Sequence, residues 1–149
     1  MKNIQPKLIK LFKEGYCTPQ ISKIAKKLKE PSTTIHYNIK RLEKEKAIIG
    51  YKAVFNHKKI EESFGCFVLI NLSPDEYGNP ESIARELGKH PEIESINIIT
   101  GDWEMILKVR TKDQEAYYDL IKRVISRKGV TNIKSLTSLK EIKNESIVL

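Results

Sequence analysis

Residues 18–55, TPQISKIAKKLKEPSTTIHYNIKRLEKEKAIIGYKAVF, decide the fold of the N-terminal part of the chain. Apolar residues recur at helical spacing in residues 21–28 and again in residues 35–42, which predicts two amphipathic helices. Lys29-Glu30-Pro31 separates them, because Pro31 cannot continue a helix but is acceptable at the start of a new one. Two helices joined by such a tight turn are typical of a helix-turn-helix motif.

Capping residues mark where these two helices begin. Thr18 can cap the first helix, with Pro19 in its first turn. Glu30 and Ser32 are both candidates for the N-cap of the second helix, and the sequence leaves that choice open.

The segments on either side extend the motif. Before it, an apolar face predicts one more helix, which Gly15 can end; the face comprises Leu8, Leu11 and Phe12. After it, residues 48–55 are β-branched and aromatic and predict a strand, and residues 56–63 read as a hinge. The prediction is a (winged) helix-turn-helix domain in residues 1–50, followed by a strand and hinge linker in residues 51–63.

The charge of the chain is unevenly distributed. The chain has 149 residues and a formal net charge of +8. Residues 1–60 contain 15 Lys/Arg against 4 Asp/Glu, whereas the remainder contains 12 against 15. A basic module joined to a mildly acidic one indicates that only the first meets a polyanion, although a merely Lys-rich surface would also give a positive count.

Residues 64–149 have a different pattern, which predicts a second domain. Strands are expected at residues 65–72, 93–100, 103–110 and 130–142, and helices at residues 80–90 and 113–128. Gly101-Asp102 is a two-residue hairpin signal between the middle strands, and Asp113 or Thr111 can cap the second helix. This order is the ferredoxin-like βαββαβ arrangement, so the fold class is α+β with two domains.

The helix that starts at Ser32 has the properties of a recognition helix. Burial of Ile35, Ile39 and Leu42 turns its polar face outward, with hydroxyl groups at its N-terminal end. Lysines of the preceding helix should cross the DNA backbone. The predicted DNA-contacting residues are Ser32, Thr33, Thr34, His36, Tyr37, Lys40, Arg41, Lys23 and Lys27. The alternative is a solvated helix face on which the Tyr37 ring packs.

Residues 18–59 resemble the DNA-binding half of the leucine-responsive regulatory protein/AsnC family, the feast/famine transcription regulators. The runs IITGDWEMILKV and VTNIKSLTSLKEI resemble the effector domain of the same family, so the likeness covers nearly the whole chain. The resemblance implies a homodimer that assembles into octamers or discs and binds inverted-repeat promoter sites in double-stranded DNA. It also implies an amino acid as effector, held between dimers.

The resemblance further implies where that effector binds. The family carries a Gly-x-x-Asp-like motif between the middle strands, and this chain has Gly101-Asp102-Trp103-Glu104 there, with Glu in place of Asp. The candidate effector-binding residues are Thr100, Gly101, Asp102, Trp103, Glu104 and Thr137. The alternative is that Gly101 and Asp102 serve only turn geometry, Trp103 packs, and Glu104 is solvated or ion-paired.

Other classes of function have little support in the sequence. Cys17 and Cys66 are far apart and are expected to be free thiols, and the three histidines lack metal-ligand spacing. No nucleophile elbow or phosphate-binding glycine loop is present, so neither catalysis nor a cofactor is expected. No run is apolar enough to span a membrane, and a cytoplasmic location is expected.

The predicted sheet should also self-associate. Two helices can cover only one face of the sheet, and neither face has a clean polar pattern: Phe67, Leu69, Ile106 and Lys108 alternate with Cys66, Val68, Met105 and Leu107. Both faces need covering, so sheet-to-sheet dimerisation is expected. Two other readings remain: an architectural DNA-binding protein with little sequence preference, and an enzyme resembling the siroheme decarboxylases. The basic N-terminal domain counts against the enzyme.

Overall fold

A computed structural model describes residues 3–144 and 147–148. The chain divides into two compact units, with the boundary between Val54 and Phe55. That boundary lies within the segment predicted as the linker. The two units are described separately below.

The N-terminal unit contains three helices. They are α1 (Gln5–Lys13), α2 (Ile21–Leu28) and α3 (Ser32–Lys44). Ala25 of α2 and Ile35 of α3 are the buried apolar residues of this unit among those described. Lys29 adopts the left-handed conformation (φ 56°), which ends α2 and lets the Glu30 N–H donate to the Ala25 carbonyl at 3.1 Å. The helix-turn-helix motif is therefore confirmed.

The predicted capping of these helices is wrong in detail. α2 begins at Ile21 rather than beside Thr18, because the Ile21 N–H turns back to the Pro19 carbonyl at 3.1 Å before the helix starts. The N-cap of α3 is Pro31, whose extended backbone (φ −60°, ψ 143°) starts the helix without a side-chain cap. Neither Glu30 nor Ser32 takes that role, and Ser32 is the first helical residue.

The predicted strand at residues 48–55 is also wrong. These residues have no regular secondary structure, and the side chain of Ile49 is 93% exposed. A strand needs a neighbour for its backbone N–H and C=O groups, and none of the ladders found in residues 3–144 and 147–148 includes this segment. The helix-turn-helix domain accordingly has no wing strand in the described chain.

The C-terminal unit contains a four-stranded antiparallel sheet in the order β2-β3-β1-β4. The strands are β1 (Phe64–Leu72), β2 (Ile93–Ile98), β3 (Met105–Thr111) and β4 (Val130–Thr137). The helices are α4 (Pro80–Leu87), between β1 and β2, and α5 (Gln114–Leu120), between β3 and β4. This order and pairing confirm the predicted ferredoxin-like fold. The short strands β5 (Lys143–Asn144) and β6 (Ile147–Val148) pair separately.

The middle strands are not joined by a two-residue hairpin. β2 ends at Ile98 and β3 begins at Met105, so a six-residue loop, residues 99–104, connects them. The Ile99 N–H donates to the Glu104 carbonyl at 2.9 Å and closes the loop. Two residues of β1 also contact the loop, since Asn71 Nδ2 donates to the Asp102 carbonyl and the Leu72 N–H donates to the Glu104 carboxylate.

Two further predicted elements are shorter than expected. Asp113 caps α5, since its Oδ1 accepts from the Ala116 N–H at 2.8 Å, but the regular helix ends at Leu120 and continues as a wider turn over Ile121–Ile125. β4 ends at Thr137 rather than residue 142. The reason is that β1 begins at Phe64, so the chain beyond Ser138 runs past the end of its partner strand in this sheet.

The helices cover one face of the sheet and leave the other open. The covered face joins the helices in a single apolar core, whose strand residues are Cys66, Val68, Ile70, Leu72, Ile93, Met105, Leu107 and Val109. Phe67, 40% exposed, and Leu136, 44% exposed, lie on the opposite face with Leu69 and Ile106. The uncovered face therefore carries a patch of apolar side chains, with Lys108 opposite Phe67 and Lys134 opposite Leu69 on the neighbouring strands.

A cluster of charged groups lies at one end of this open face. Arg110 is 8% exposed and contacts Glu94 at 3.3 Å and Glu141 at 3.0 Å. Lys108 Nζ lies 3.6 Å from Glu94 and 3.3 Å from Glu141. His57 Nε2 lies 3.8 Å from Glu94 Oε1. This contact joins the segment at the start of the C-terminal unit, which contains His57, to strand β2.

The stability of this unit should depend on the protonation of His57. Burial, followed by the charge of Arg110, lowers the pKa of His57 below its ordinary 6.5, although Glu94, Glu141 and Glu62 oppose the shift. The folded state then binds fewer protons than the unfolded state, so the contribution of His57 is fully present above pH 6.5 and is lost as the pH falls below it.

His57→Gln removes this titration. In urea unfolding at fixed protein concentration, the wild-type midpoint should fall more than that of His57→Gln between pH 7.5 and pH 5.5. Carboxylates titrate in both proteins, so the difference between the two isolates His57. Equal pH dependence in both would contradict the prediction.

Candidate DNA-binding surface and effector site

The N-terminal end of α3 presents hydroxyl groups to solvent. Ser32, Thr33 and Thr34 occupy its first turn and are exposed. The N-cap residue Pro31 makes no side-chain cap hydrogen bond, so it does not satisfy the first main-chain N–H groups of the helix. Helix N-termini with free N–H groups and nearby hydroxyls are suited to phosphate oxygens.

The outward face of α3 carries the other predicted DNA-contacting residues. His36, Tyr37, Lys40 and Arg41 are all exposed, while Ile35 points into the unit and is 6% exposed. The Tyr37 side chain is 68% exposed and is not packed, which removes the alternative of a buried Tyr37 ring. The helix thus presents the predicted polar face, but the predicted burial of Leu42 is wrong, since its side chain is 42% exposed near the C-terminal end of α3.

Both cations of this face have acidic neighbours on the same helix turn. Lys40 Nζ donates to Glu43 at 2.8 Å, and Arg41 Nε donates to Glu45 at 2.8 Å. The hydrogen bond to Glu43 raises the pKa of Lys40, and the hydrogen bond from Lys40 lowers the pKa of Glu43. These pairs are exposed, so exchanging the carboxylate for a phosphate oxygen costs little.

Glu43 also connects α3 with the segment that follows it. The Tyr51 hydroxyl donates to Glu43 Oε1 at 3.0 Å. Burial raises the pKa of Tyr51, and the hydrogen bond to Glu43 adds to the shift. Sequence spacing did not identify this contact, because Tyr51 falls in the segment that was read as a strand.

The second helix contributes an unopposed basic surface. Lys23, Lys26 and Lys27 are exposed, and α2 contains no acidic residue. Lys23 and Lys27 are one helical turn apart and lie on the same side of α2. The structure therefore keeps both predicted lysines available to an anionic partner.

The predicted effector residues of the β2–β3 connection form one loop. Thr100, Gly101 and Asp102 are exposed, while Trp103 and Glu104 are partly buried. Gly101 has a φ of 108°, which a residue with a Cβ rarely adopts, so the turn requires glycine. The Glu104 N–H donates to the Ile70 carbonyl at 3.1 Å, where the loop joins the sheet.

The Glu104 side chain is bound by the protein itself. Its Oε2 accepts from the Leu72 N–H at 2.9 Å and from Asn71 Nδ2 at 3.1 Å. Asn71 Nδ2 also donates to the Asp102 carbonyl at 2.7 Å. Sequence reasoning missed Asn71, although a polar residue in the otherwise apolar run GCFVLINL was a signal that could have identified it.

A pocket of about 270 Å³ lies beside this loop. Its lining residues are Leu72, Tyr77, Pro80, Ile98, Ile99 and Glu104. Four of these six residues are aliphatic or proline, and Tyr77 and Glu104 are the two with polar side-chain groups. The space suits a small ligand with an apolar part.

Thr137 is not brought to this loop within one chain. It pairs with Cys66 near the beginning of β1, whereas the loop contacts Asn71 and Leu72 at its end. Leu72 lies six residues beyond Cys66 along the strand, a distance of about 20 Å. Asn132, by contrast, pairs with Asn71 and lies at the loop's end of the sheet.

The described chain shows no sign of a metal site or a membrane span. In residues 3–144 and 147–148, no three His, Cys, Asp or Glu side chains are grouped so that they could hold a metal ion. No helix in the same residues is long and apolar enough to cross a membrane. Cys17 and Cys66 are free thiols, as predicted.

The helix-turn-helix unit followed by a ferredoxin-like unit defines a class of two-domain transcription regulators. Residues 65–148 match the Lrp/AsnC ligand binding domain. This chain belongs to the Lrp/AsnC family, which confirms the resemblance seen in its sequence.

Named relatives agree with this assignment. An uncharacterised HTH-type transcriptional regulator of Pyrococcus furiosus is 34% identical over 126 residues, which is 84% of each chain. The HTH-type transcriptional regulator FL11 of the same organism is 30% identical over 140 residues, covering 94% of this chain and 90% of FL11.

Solved structures share the fold. An AsnC family transcriptional regulator from Agrobacterium tumefaciens has a TM-score of 0.76 at 21% identity, covering 100% of this chain and 97% of that one. A transcriptional regulator from Neisseria meningitidis, solved in complex with L-methionine, has a TM-score of 0.74 at 21% identity, with coverage of 99% and 96%.

Proposed function

We propose that this protein is a sequence-specific DNA-binding transcription regulator whose C-terminal domain binds an amino acid. The observation that carries the proposal is the exposed face of α3, with hydroxyls at its N-terminal end and His36, Tyr37, Lys40 and Arg41 beyond them. Membership of the Lrp/AsnC family supports it, because the named relatives are transcription regulators.

The charge distribution favours α3 as the element that enters the DNA groove. The excess of Lys and Arg lies in residues 1–60, and the lysines of α2 flank the recognition helix. Lys23 and Lys27 contact phosphates as α2 crosses the backbone, and Ser32, Thr33 and Thr34 hold a phosphate at the N-terminus of α3. His36 and Tyr37 face the base edges, and Lys40 and Arg41 add phosphate contacts from the later turns.

An amino acid is the proposed effector. The loop at residues 99–104 supplies three exposed residues, Thr100, Gly101 and Asp102, for the polar end of such a ligand. The adjoining apolar pocket favours an amino acid with an apolar side chain. The L-methionine complex of the Neisseria meningitidis regulator supports this ligand class.

The open face of the sheet is the proposed dimer interface. Phe67, Leu69, Ile106 and Leu136 form an apolar patch that the helices do not cover. A second copy of the sheet would bury it, and two recognition helices related by a twofold axis would then require an inverted-repeat DNA site. Assembly of dimers into octamers is proposed on the family resemblance.

Arg41→Ala tests the DNA-binding surface. Removing one phosphate contact should weaken binding to a selected inverted repeat and to random duplex alike, and should reduce the salt slope by about 1. Fluorescence anisotropy across a salt series measures both quantities. Lys128→Ala removes one exposed cation of the C-terminal unit and serves as the charge-matched control. Equal losses in both variants would contradict a recognition surface on α3.

Phe67→Glu tests the interface. A charge in the middle of the apolar patch should dissociate the dimer, which sedimentation equilibrium detects. Tyr118→Glu is the matched control, because Tyr118 is an aromatic residue of α5 that is 60% exposed. Leu107 does not suit this test, since it is fully buried on the helix-covered face and a charge there breaks the core. A Phe67→Glu protein that sediments as wild type would exclude this face.

A further inference from the structure

The last residues of β1 extend past the first residue of β3. Ile70 pairs with Met105, where β3 begins, and Leu72 lies two residues farther on. The edge of β1 that faces β3 therefore has no ladder partner at Leu72. An unpaired backbone N–H in a buried residue is costly, and Leu72 is 1% exposed.

Glu104 provides the acceptor for the Leu72 N–H, and Glu104 and Asn71 together connect the loop to the end of β1. The Leu72 N–H donates to Glu104 Oε2, and Asn71 Nδ2 donates both to Glu104 Oε2 and to the Asp102 carbonyl. These three hydrogen bonds fix both residues that flank Trp103. The loop segment 102–104 thus takes its position from β1.

We propose that Glu104 and Asn71 are positioning residues, which hold the loop at residues 99–104 in the conformation that borders the pocket. The Glu104 Oε2 atom accepts hydrogen bonds from the Leu72 N–H and from the Asn71 side chain. The position of the loop therefore depends on the length of the Glu104 side chain and not on its charge. The effect of these residues on ligand binding rests on the proposed amino-acid effector. Their effect on the position of the loop is independent of that proposal.

Length and charge can be separated by two conservative substitutions. In Glu104→Gln, the amide oxygen still reaches the Leu72 N–H and Asn71, so the loop should stay in place without the charge. In Glu104→Asp, the charge remains but the side chain is shorter by one methylene, about 1.5 Å, which is too short to keep a 2.9 Å hydrogen bond without moving the loop. Asn71→Ala removes both bonds from Asn71 and should resemble Glu104→Asp.

Trp103 reports on the loop directly, because it is the single tryptophan of the chain and lies between the two fastened residues. Emission wavelength and acrylamide quenching are measured on the full chain without ligand. Glu104→Gln should match wild type, while Glu104→Asp and Asn71→Ala should show red-shifted emission and stronger quenching. Wild-type-like quenching in Glu104→Asp with a perturbed Glu104→Gln would overturn the proposal, as would unchanged emission in all three variants.

Two further measurements distinguish a positioning role from a general loss of stability and test its effect on ligand binding. Urea midpoints identify any variant that has lost the fold rather than the loop. Calorimetric titration with L-methionine should show weaker binding in Asn71→Ala, because Asn71 holds the loop but does not line the pocket. Wild-type affinity in Asn71→Ala would overturn the link between the position of the loop and ligand binding. Failure of wild type to bind any of the twenty amino acids would remove the proposed effector and leave the Trp103 comparison to decide the role of Glu104.

Discussion

One-sided burial along β1 is the constraint on which the C-terminal unit depends. β1 pairs with both β3 and β4, so its alternate residues set the two faces of the sheet. Cys66, Val68 and Ile70 belong to the core that α4 and α5 cover, and Phe67 and Leu69 point to the uncovered face. The same strand supplies Asn71 and Leu72 to the loop, so core, interface patch and candidate effector site share one element.

The two units differ in charge and in the polarity of their surfaces, and these differences suit them to different partners. The helical unit buries few side chains among those described, and it presents an exposed polar face on α3 and exposed lysines on α2. A small unit of this kind is suited to a large polyanion, for which phosphate attraction supplies much of the affinity. The sheet unit has an extensive core, an apolar face and a pocket, which are the features needed for self-association and for binding a small ligand.

Much of the fold could be predicted from the sequence, because periodic burial decides it. The spacing of Ile35 and Ile39 predicted the exposed face of α3, and strand and helix order predicted the ferredoxin-like sheet. Interactions between distant residues could not be predicted this way. The direction of the Glu104 side chain depends on Leu72, which is 32 residues away, and the segment at 48–55 has strand propensity without a partner strand. Backbone pairing and side-chain contacts over such separations leave no local signature.

The most direct test of a sequence-specific regulator compares two duplexes at physiological salt. An inverted repeat is selected from a random library with the full chain, and its half-sites are then scrambled at constant composition. Fluorescence anisotropy should give a dissociation constant for the selected duplex that is at least about 10³-fold lower than for the scrambled one. Equal affinity for both duplexes would contradict sequence-specific regulation and would indicate an architectural DNA-binding protein.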